Sequence, residues 1–282
     1  MKHQAVFILN EIGTHSDIQE VTPVSGGDSS EAWKIVTGTD SFFVKYNQAD
    51  PEDLFEKEAY NLSLLRETGT IRVPEVLGKG SGYIVMEWLE GRQAEHTDEA
   101  LGRGLARLHQ YSGDRFGLDV DNYIGTLPQP NEWEKDWITF FREKRLGFQF
   151  RLAEEQGHIL GTRRQKMIRL LDNLEKWIPR NPKPALLHGD LWGGNWLAGP
   201  DGEPYLIDPA VFYGDSELEI AFTELFGGFS EHFYYAYQEI LPLSSLYEER
   251  KPLYQLYYLL VHLTAFGEMY GSAVDRILSM YV

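Results

Sequence analysis

The apolar residues change their spacing partway along the chain. In the first third, short apolar runs bounded by turn residues predict strands. The runs 32–36 and 41–46 flank the polar turn 37–40 and predict a hairpin, and the run 83–89 predicts a further strand. Beyond these, apolar residues recur every three or four positions, which predicts helices.

The helical spacing is clearest in two leucine series. They are Leu101, Leu105 and Leu108, and Leu253, Leu256, Leu260 and Leu263. Two helices are also predicted beside the strands, one over residues 2–12 and one with Asp50 as N-cap, Pro51 in its first turn and an end near Glu67. The pattern predicts an α+β chain with a small β-rich unit at 1–90, ending in a hinge at Glu90-Gly91, and a larger, mainly helical unit at 91–282.

Two charged residues stand at positions where apolar ones are expected. The alternation of the 41–46 strand places Lys45 on the face of Phe43, opposite Phe42 and Val44. Glu58 lies on the apolar stripe of the helix that follows. A lysine among apolar residues requires an anionic partner, so we predict a Lys45–Glu58 pair. The alternative is that both side chains point into solvent.

The densest cluster of candidate chemistry is the octapeptide loop, residues 188–195, with the sequence His-Gly-Asp-Leu-Trp-Gly-Gly-Asn. It follows the apolar run 185–187. Two further apolar runs, 196–198 and 205–207, flank a strong turn signal and predict a second hairpin. Antiparallel pairing would bring Asn195 at one end of that hairpin beside Asp208 at the other.

Asp190, Asn195 and Asp208 together suit phosphoryl transfer. A carboxylate can act as base for a hydroxyl, and an amide and a second carboxylate are the hard oxygen ligands that magnesium prefers beside phosphate. Gly193 and Gly194 are expected to let the backbone turn tightly between base and ligand. The alternative is that the two aspartates are turn residues and Asn195 a cap.

Gly26 and Gly27 lie in a turn-rich loop, 22–30, directly before the strand pair that carries Lys45. The loop lacks both G-x-G-x-x-G and the Walker pattern, which excludes a P-loop enzyme. Its backbone N–H groups are predicted to approach phosphate, and an ordinary hairpin turn is the alternative.

The remaining histidines and aromatic residues are predicted to be mainly structural. His188 is expected to brace the octapeptide loop, and His109 to pack and hydrogen-bond within a helix. A cluster of rings is expected in the core: Trp133, Trp137, Phe140 and Phe141. Trp192 either forms a wall of the acceptor pocket or packs beneath its loop.

Composition limits the remaining possibilities. The 282 residues contain no cysteine and carry a net charge of −17, which excludes thiolate chemistry and argues against nucleic acid as a partner. The charge is compatible with a cationic substrate. No apolar stretch reaches the roughly 18 residues of a membrane span, and the apolar run at the start is too short for a signal peptide, so we expect a cytoplasmic enzyme that does not bind membranes.

The 188–195 loop, with Asp208-Pro209-Ala210 and 213–217, resembles the fructosamine kinase (ketosamine-3-kinase) family. Further segments follow in the family's order, among them Asn122-Tyr123-Ile124-Gly125 and Pro128-Gln129-Pro130-Asn131. The resemblance covers nearly the whole chain. It implies a bilobal protein-kinase-like fold, related to the aminoglycoside phosphotransferases.

The resemblance also implies roles for the residues. Asp190 would be the base, Asn195 and Asp208 would hold Mg²⁺, and Lys45 with Glu58 would orient the phosphates of ATP beside the loop of Gly26 and Gly27. The adenine would be held through backbone groups of the stretch Glu87, Trp88, Leu89 and Glu90. Some relatives carry a cysteine in the nucleotide loop, and its absence here excludes their proposed redox switching.

The implied reaction is ATP-dependent phosphorylation at O3 of a ketosamine, either a free metabolite or a glycated protein lysine. The product is unstable and sheds its sugar, which is a deglycation step. One alternative is a related small-molecule kinase of the aminoglycoside or choline kinase type. A non-catalytic pseudokinase is disfavoured because Lys45, Glu58, Asp190, Asn195 and Asp208 are all present.

Overall fold

The computed structural model describes residues 2–24, 30–47, 51 and 53–282. It confirms the predicted α+β fold with a sheet at one end and helices at the other. The first part of the chain forms one antiparallel sheet in the order β1-β2-β3-β5-β4. Its strands are β1 (Ile18–Pro23), β2 (Glu31–Thr37), β3 (Ser41–Tyr46), β4 (Val76–Gly80) and β5 (Tyr83–Glu87).

Strand β3 separates two hydrophobic environments, as its alternation predicts. Phe42 and Val44 are buried in a small cluster with residues of helix α1 (Lys2–Glu11). Phe43, on the opposite face, packs against the main core. Lys45 therefore leaves the sheet on the side of the main core.

Helix α2 (Leu54–Glu67) crosses that side of the sheet and begins later than predicted. Asp50, the expected N-cap, lies outside the described residues. Pro51 precedes the helix, and Asp53 makes no capping hydrogen bond with its side chain. The Asp53 carboxylate instead accepts a 2.6 Å hydrogen bond from the Tyr123 hydroxyl, a partner distant in sequence.

The second part of the chain is mainly helical. Its helices are α3 (Thr97–Gln110), α4 (Trp137–Phe140), α5 (Gly147–Glu155), α6 (Gly161–Leu171), α7 (Ser216–Thr223), α8 (Glu231–Ile240), α9 (Tyr247–Phe266) and α10 (Gly271–Tyr281), with a π-helical turn at Phe141–Leu146. Three small antiparallel pairs interrupt them: β6 (Asn122–Ile124) with β7 (Leu127–Gln129), β8 (Ala185–Leu187) with β11 (Phe212–Gly214), and β9 (Trp196–Ala198) with β10 (Pro204–Leu206). Among the described residues, none of the helices is both long and apolar enough to cross a bilayer.

Aromatic rings fill the core of the helical part. Trp137, Phe140 and Phe141 are fully buried, which confirms their predicted place, and Phe141 meets Tyr254 of α9 edge to face. Trp133 is only partly buried and lies against Tyr213, so the prediction of a core position was wrong for this ring.

The chain passes between the two parts after β5. The strand ends at Glu87, two residues earlier than predicted, and Gly91 lies where any side chain would collide with the backbone of Gly199. This close approach agrees with a crossing near Glu90-Gly91. The division into 1–90 and 91–282 remains our proposal.

Candidate active site

Lys45 joins two acidic residues from different parts of the chain. Its Nζ donates to Glu58 Oε1 of α2 at 2.7 Å, as the sequence predicts, and also to Asp208 Oδ1. Burial alone would lower the pKa of Lys45, but the charges of Asp208 and Glu58 outweigh it and hold that pKa above its ordinary value. The lysine is therefore a fixed cation between the sheet, α2 and the segment after β10.

The predicted second hairpin carries Asn195 and Asp208 to one place. Strands β9 and β10 pair in antiparallel register, with Leu206 opposite Trp196. The pairing continues one step further, because the Ile207 N–H donates to the Asn195 carbonyl at 3.0 Å. Asp208 follows directly, with a left-handed φ of 57° that turns the chain at the end of the hairpin.

Asn195 also holds Asp190. Its Nδ2 donates to the Asp190 carbonyl at 2.8 Å and to Asp190 Oδ2 at 3.1 Å. Both hydrogen bonds use the nitrogen, so the amide oxygen stays available as a ligand. Desolvation and the charge of Asp208 raise the pKa of Asp190 well above its ordinary range, while the bond from Asn195 opposes the rise. A cation bound between the two aspartates would favour the ionised form.

The octapeptide loop turns at two places, at Gly189 and at Gly193-Gly194. Gly189 has a φ of +88°, and a Cβ there would lie 2.0 Å from the Ala210 carbonyl oxygen. Gly193 and Gly194 form the expected turn, because the Asn195 N–H donates to the Trp192 carbonyl at 2.9 Å across them, and neither glycine needs a positive φ for it. They also allow close contacts, Gly193 with the backbone of Gly228 and Gly194 with the ring of Trp192.

His188 contacts the segment before Asp208. Its Nε2 lies 2.8 Å from the Ile207 carbonyl, and its Nδ1 accepts a 3.3 Å hydrogen bond from the Asp190 N–H. Burial lowers the pKa of His188, although the Glu219 charge opposes this. A neutral, hydrogen-bonded imidazole agrees with the predicted bracing role.

Glu219 supports the same loop, and sequence reasoning missed it. It is fully buried on α7, and its carboxylate accepts hydrogen bonds from the N–H groups of His188, at 3.0 Å, and Gly189. His109 contacts the same carboxylate at 2.9 Å, in agreement with its predicted structural role. Burial would raise the pKa of Glu219, but these partners outweigh it and lower the pKa. An acidic residue between Leu218 and Ile220 was the available signal.

Trp192 does not pack beneath the loop. Its side chain is 42% exposed, and its ring covers Gly194. Its role as a wall of the acceptor pocket remains a prediction.

The predicted nucleotide-binding residues fall into two groups. Gly26 and Gly27 lie outside the described residues. The others lie between the two parts of the chain: Glu87 ends strand β5, and Trp88, Leu89 and Glu90 follow it.

The side chains of this second group bond to the protein itself. Glu87 Oε1 accepts from the Glu75 N–H at 2.9 Å, and Trp88 Nε1 donates to Glu90 Oε2 at 3.2 Å. Among the described residues, no hydrogen bond engages the N–H of Leu89. Backbone contacts to an adenine are therefore compatible with this arrangement.

Asn195 and Asp208 suit a magnesium ion that is also bound by phosphate oxygens. Asp208 offers a carboxylate and Asn195 an amide oxygen, and Mg²⁺ commonly takes only one or two protein ligands beside water and phosphate oxygens. Within the described ranges, no cluster of three or more His, Cys, Asp or Glu side chains has a metal-binding arrangement. The residues fit an ion that arrives with a nucleotide better than a site made of protein ligands alone.

The chain is similar along its full length to proteins named as ketoamine or fructosamine kinases. The family model for fructosamine kinase matches residues 1–282. A Lactiplantibacillus plantarum protein named "Probable ketoamine kinase" is 42% identical over 271 residues, which cover 94% of this chain and 95% of that protein.

Solved structures agree. That of a "Putative fructosamine-3-kinase" from Haemophilus somnus 129PT has a TM-score of 0.87 and 34% identity, and the match covers 98% of this chain and 95% of that one. A thermostable mutant of an aminoglycoside phosphotransferase, in a ternary complex with ADP and hygromycin B, has a TM-score of 0.63 at 16% identity over 97% of each chain. The second likeness shows the kinase-like, two-lobed fold.

Proposed function

Since the chain belongs to the fructosamine kinase family, we propose that it transfers the γ-phosphoryl group of ATP to the 3-hydroxyl of a ketosamine sugar. Its family and fold make it a phosphotransferase with an alcohol group as acceptor. The acceptor is a sugar joined to an amine by glycation. The phosphorylated product sheds its sugar, so the reaction amounts to deglycation.

One observation carries this proposal: Lys45 bridges Glu58 and Asp208 while Asn195 holds Asp190. Phosphoryl transfer needs a positioned base, two metal ligands and a lysine held by an acidic partner, and all five groups meet here. A pseudokinase would lack at least one of them.

Each group has a task in the proposed reaction. Asp190 accepts the proton of the attacking hydroxyl, which strengthens the oxygen as a nucleophile. Lys45 has three N–H donors, and since Glu58 and Asp208 take two, the third is left for a phosphate oxygen. Asn195 and Asp208 would hold Mg²⁺, which neutralises charge on the transferring phosphoryl group when bound.

Use of ATP has independent support. The structurally similar aminoglycoside phosphotransferase was crystallised with ADP. The lysine and its acidic partner stand on the sheet and helix that border the proposed hinge, Glu87 to Glu90, where the adenine would lie.

A panel of acceptors tests the proposal. The purified protein is incubated with ATP and Mg²⁺ and with free fructosyl-lysine, ribulosyl-lysine, a glycated protein, an aminoglycoside or choline, and ADP release is measured against a reaction without acceptor. We expect turnover with the ketosamines, phosphate at O3 by NMR, and loss of the sugar by mass spectrometry. Turnover with the aminoglycoside or choline alone, or with none of the acceptors, would overturn the proposed substrate class.

A further inference from the structure

Two segments of the family resemblance, Asn122–Gly125 and Pro128–Asn131, have no part in the proposed chemistry. They form the β6–β7 hairpin, which lies against the segment that follows Asp208. The hairpin presents three side-chain amides that are almost completely buried: Asn122, Gln129 and Asn131. Buried amides need hydrogen-bond partners, so their partners show what the hairpin does.

Three successive backbone carbonyls after Asp208 each accept a hydrogen bond from a side-chain amide. The three hydrogen bonds are Asn61 Nδ2 to Pro209 O at 2.8 Å, Gln129 Nε2 to Ala210 O at 3.0 Å, and Asn122 Nδ2 to Val211 O at 2.9 Å. Asn61 belongs to α2, whereas the other two belong to the hairpin. Side chains from both parts of the chain therefore fix the same stretch of backbone.

The amides also bind one another. Asn122 Nδ2 donates to Asn61 Oδ1 at 3.1 Å, and Gln129 Nε2 donates to Asn122 Oδ1 at 2.8 Å. The Tyr257 hydroxyl of α9 completes the set by donating to Gln129 Oε1 at 2.8 Å. Each amide thus has partners for both its oxygen and its nitrogen, which fixes its orientation in the buried site.

Asp208 needs such support. Its φ of 57° is a left-handed backbone conformation, which an aspartate adopts at a cost in free energy. The network binds the chain immediately after this residue. It binds α2 as well, because Asn61 lies three residues after Glu58, on the same side of the helix.

Two further contacts hold α2 to the same region. The Tyr60 hydroxyl lies 2.9 Å from both oxygens of Asp119, and the Tyr123 hydroxyl donates to Asp53. The start and the middle of α2 are therefore tied to strand β6 and to the segment that leads into it.

We propose that Asn61, Asn122 and Gln129 are positioning residues that set Asp208 and helix α2 together, so that Lys45 meets both of its carboxylates. This rests on the proposed role of Asp208 in holding the magnesium nucleotide. The hairpin acts as a brace between the lysine–glutamate pair and the metal ligand.

The test compares Mg²⁺-dependent nucleotide binding in variants of the full chain. Asn61→Leu and Gln129→Leu remove a donor each. Tyr257→Phe is the mild variant, because it deletes only the hydroxyl that orients Gln129. Gln255→Leu is the matched control, since Gln255 Nε2 also donates to a backbone carbonyl, that of Ala221, at 2.9 Å.

The dissociation constant of ADP is measured by calorimetry with Mg²⁺ and with EDTA. In Asn61→Leu and Gln129→Leu, we expect the factor by which Mg²⁺ increases the affinity for ADP to fall at least about tenfold, and in Tyr257→Phe to fall less. The dissociation constant in EDTA should change less than about twofold. The Mg²⁺ concentration for half-maximal turnover should rise in parallel, and Gln255→Leu should behave as wild type.

Two outcomes separate this proposal from the function on which it rests. If wild type gains no ADP affinity from Mg²⁺, the metal assignment of Asp208 fails. If wild type gains affinity and the folded variants, Tyr257→Phe included, retain the full gain, the positioning role alone is overturned. Lower melting temperatures with an unchanged Mg²⁺ dependence would mark the network as structural only, which also overturns it.

Discussion

Lys45 Nζ donates to Glu58 Oε1 at 2.7 Å, from the middle of the sheet to helix α2. Both side chains are almost fully buried, with 12% and 11% of their surface exposed. Asp208 accepts a hydrogen bond from the same lysine, so the contact involves more than the strand and the helix that follows it. It connects the sheet, its helix and the metal-ligand hairpin at one point.

Replacing Lys45 by Met should damage both stability and nucleotide binding. The change leaves Glu58 as a buried charge without its cation, which we expect to lower the free energy of unfolding by about 3 kcal/mol. Urea denaturation gives the stability and calorimetry the affinity for ADP. Lys79→Met is the control, because Lys79 forms an exposed pair with Glu56 of the same helix at 2.9 Å, and it should cost less than about 1 kcal/mol. Equal effects of the two variants would contradict a special role for Lys45.

Replacing Asp190 by Asn should abolish turnover and spare nucleotide binding. The amide keeps the size of the side chain but cannot accept the hydroxyl proton, so we expect turnover to fall by about 10² to 10⁴-fold. Asp201→Asn, at an exposed turn, is the control and should leave turnover unchanged. If the variant lost ADP affinity as well as turnover, or lost neither, the assignment of Asp190 as the base would be refuted.

Replacing Gly189 by Ala should destabilise the protein more than the positive φ of this residue alone would explain. A Cβ at Gly189 would collide with the Ala210 carbonyl, whereas one at Gly157 meets nothing within 4 Å, although the φ values are similar at +88° and +81°. We expect Gly157→Ala to cost about 1 kcal/mol and Gly189→Ala clearly more, with lower turnover. Thermal unfolding of both variants measures the difference. Equal melting temperatures would show that the loop yields to the added methyl group.

The titration of Asp215 should lower the free energy of unfolding as the pH rises from about 4 to about 7. Burial raises the pKa of Asp215 from an ordinary 3.8 to about 6, against the hydrogen bond from the Tyr254 hydroxyl. The folded state therefore keeps a proton that the unfolded state has lost, and its stabilising effect, on the order of 3 kcal/mol, disappears as the pH passes the folded pKa.

Asp215→Asn isolates this contribution. The amide cannot titrate, so its free energy of unfolding, from urea curves at several pH values, should fall less between pH 4 and 7 than that of wild type. The difference between the two proteins removes the contributions of other groups, such as Glu219, whose lowered pKa gives the opposite slope. If the free energy of unfolding changed equally with pH in the two proteins, Asp215 would titrate alike in the folded and the unfolded state.

The local sequence pattern predicted much of the candidate site. Alternation placed Lys45 on the correct face of β3, the apolar stripe placed Glu58 opposite it, and the turn signal after Ala198 predicted the hairpin that carries Asn195. These predictions concern residues whose geometry depends on neighbours a few positions away. The predicted start of α2 was wrong, since the helix begins at Leu54, and the carboxylate of Asp53 bonds to Tyr123, about seventy residues later, and does not cap the helix.

What the sequence by itself determined is therefore the family, the order of elements and the groups able to do the chemistry. Only the tertiary structure decided that Lys45 also contacts Asp208, that Glu219 holds the octapeptide loop, and that amides from α2 and the β6–β7 hairpin meet on one stretch of backbone. Periodicity reports which face of an element is buried, because burial follows the pitch of a helix or strand. Periodicity does not show which polar groups meet in the interior, since packing brings those partners together across sequence separations from 30 to 163 residues.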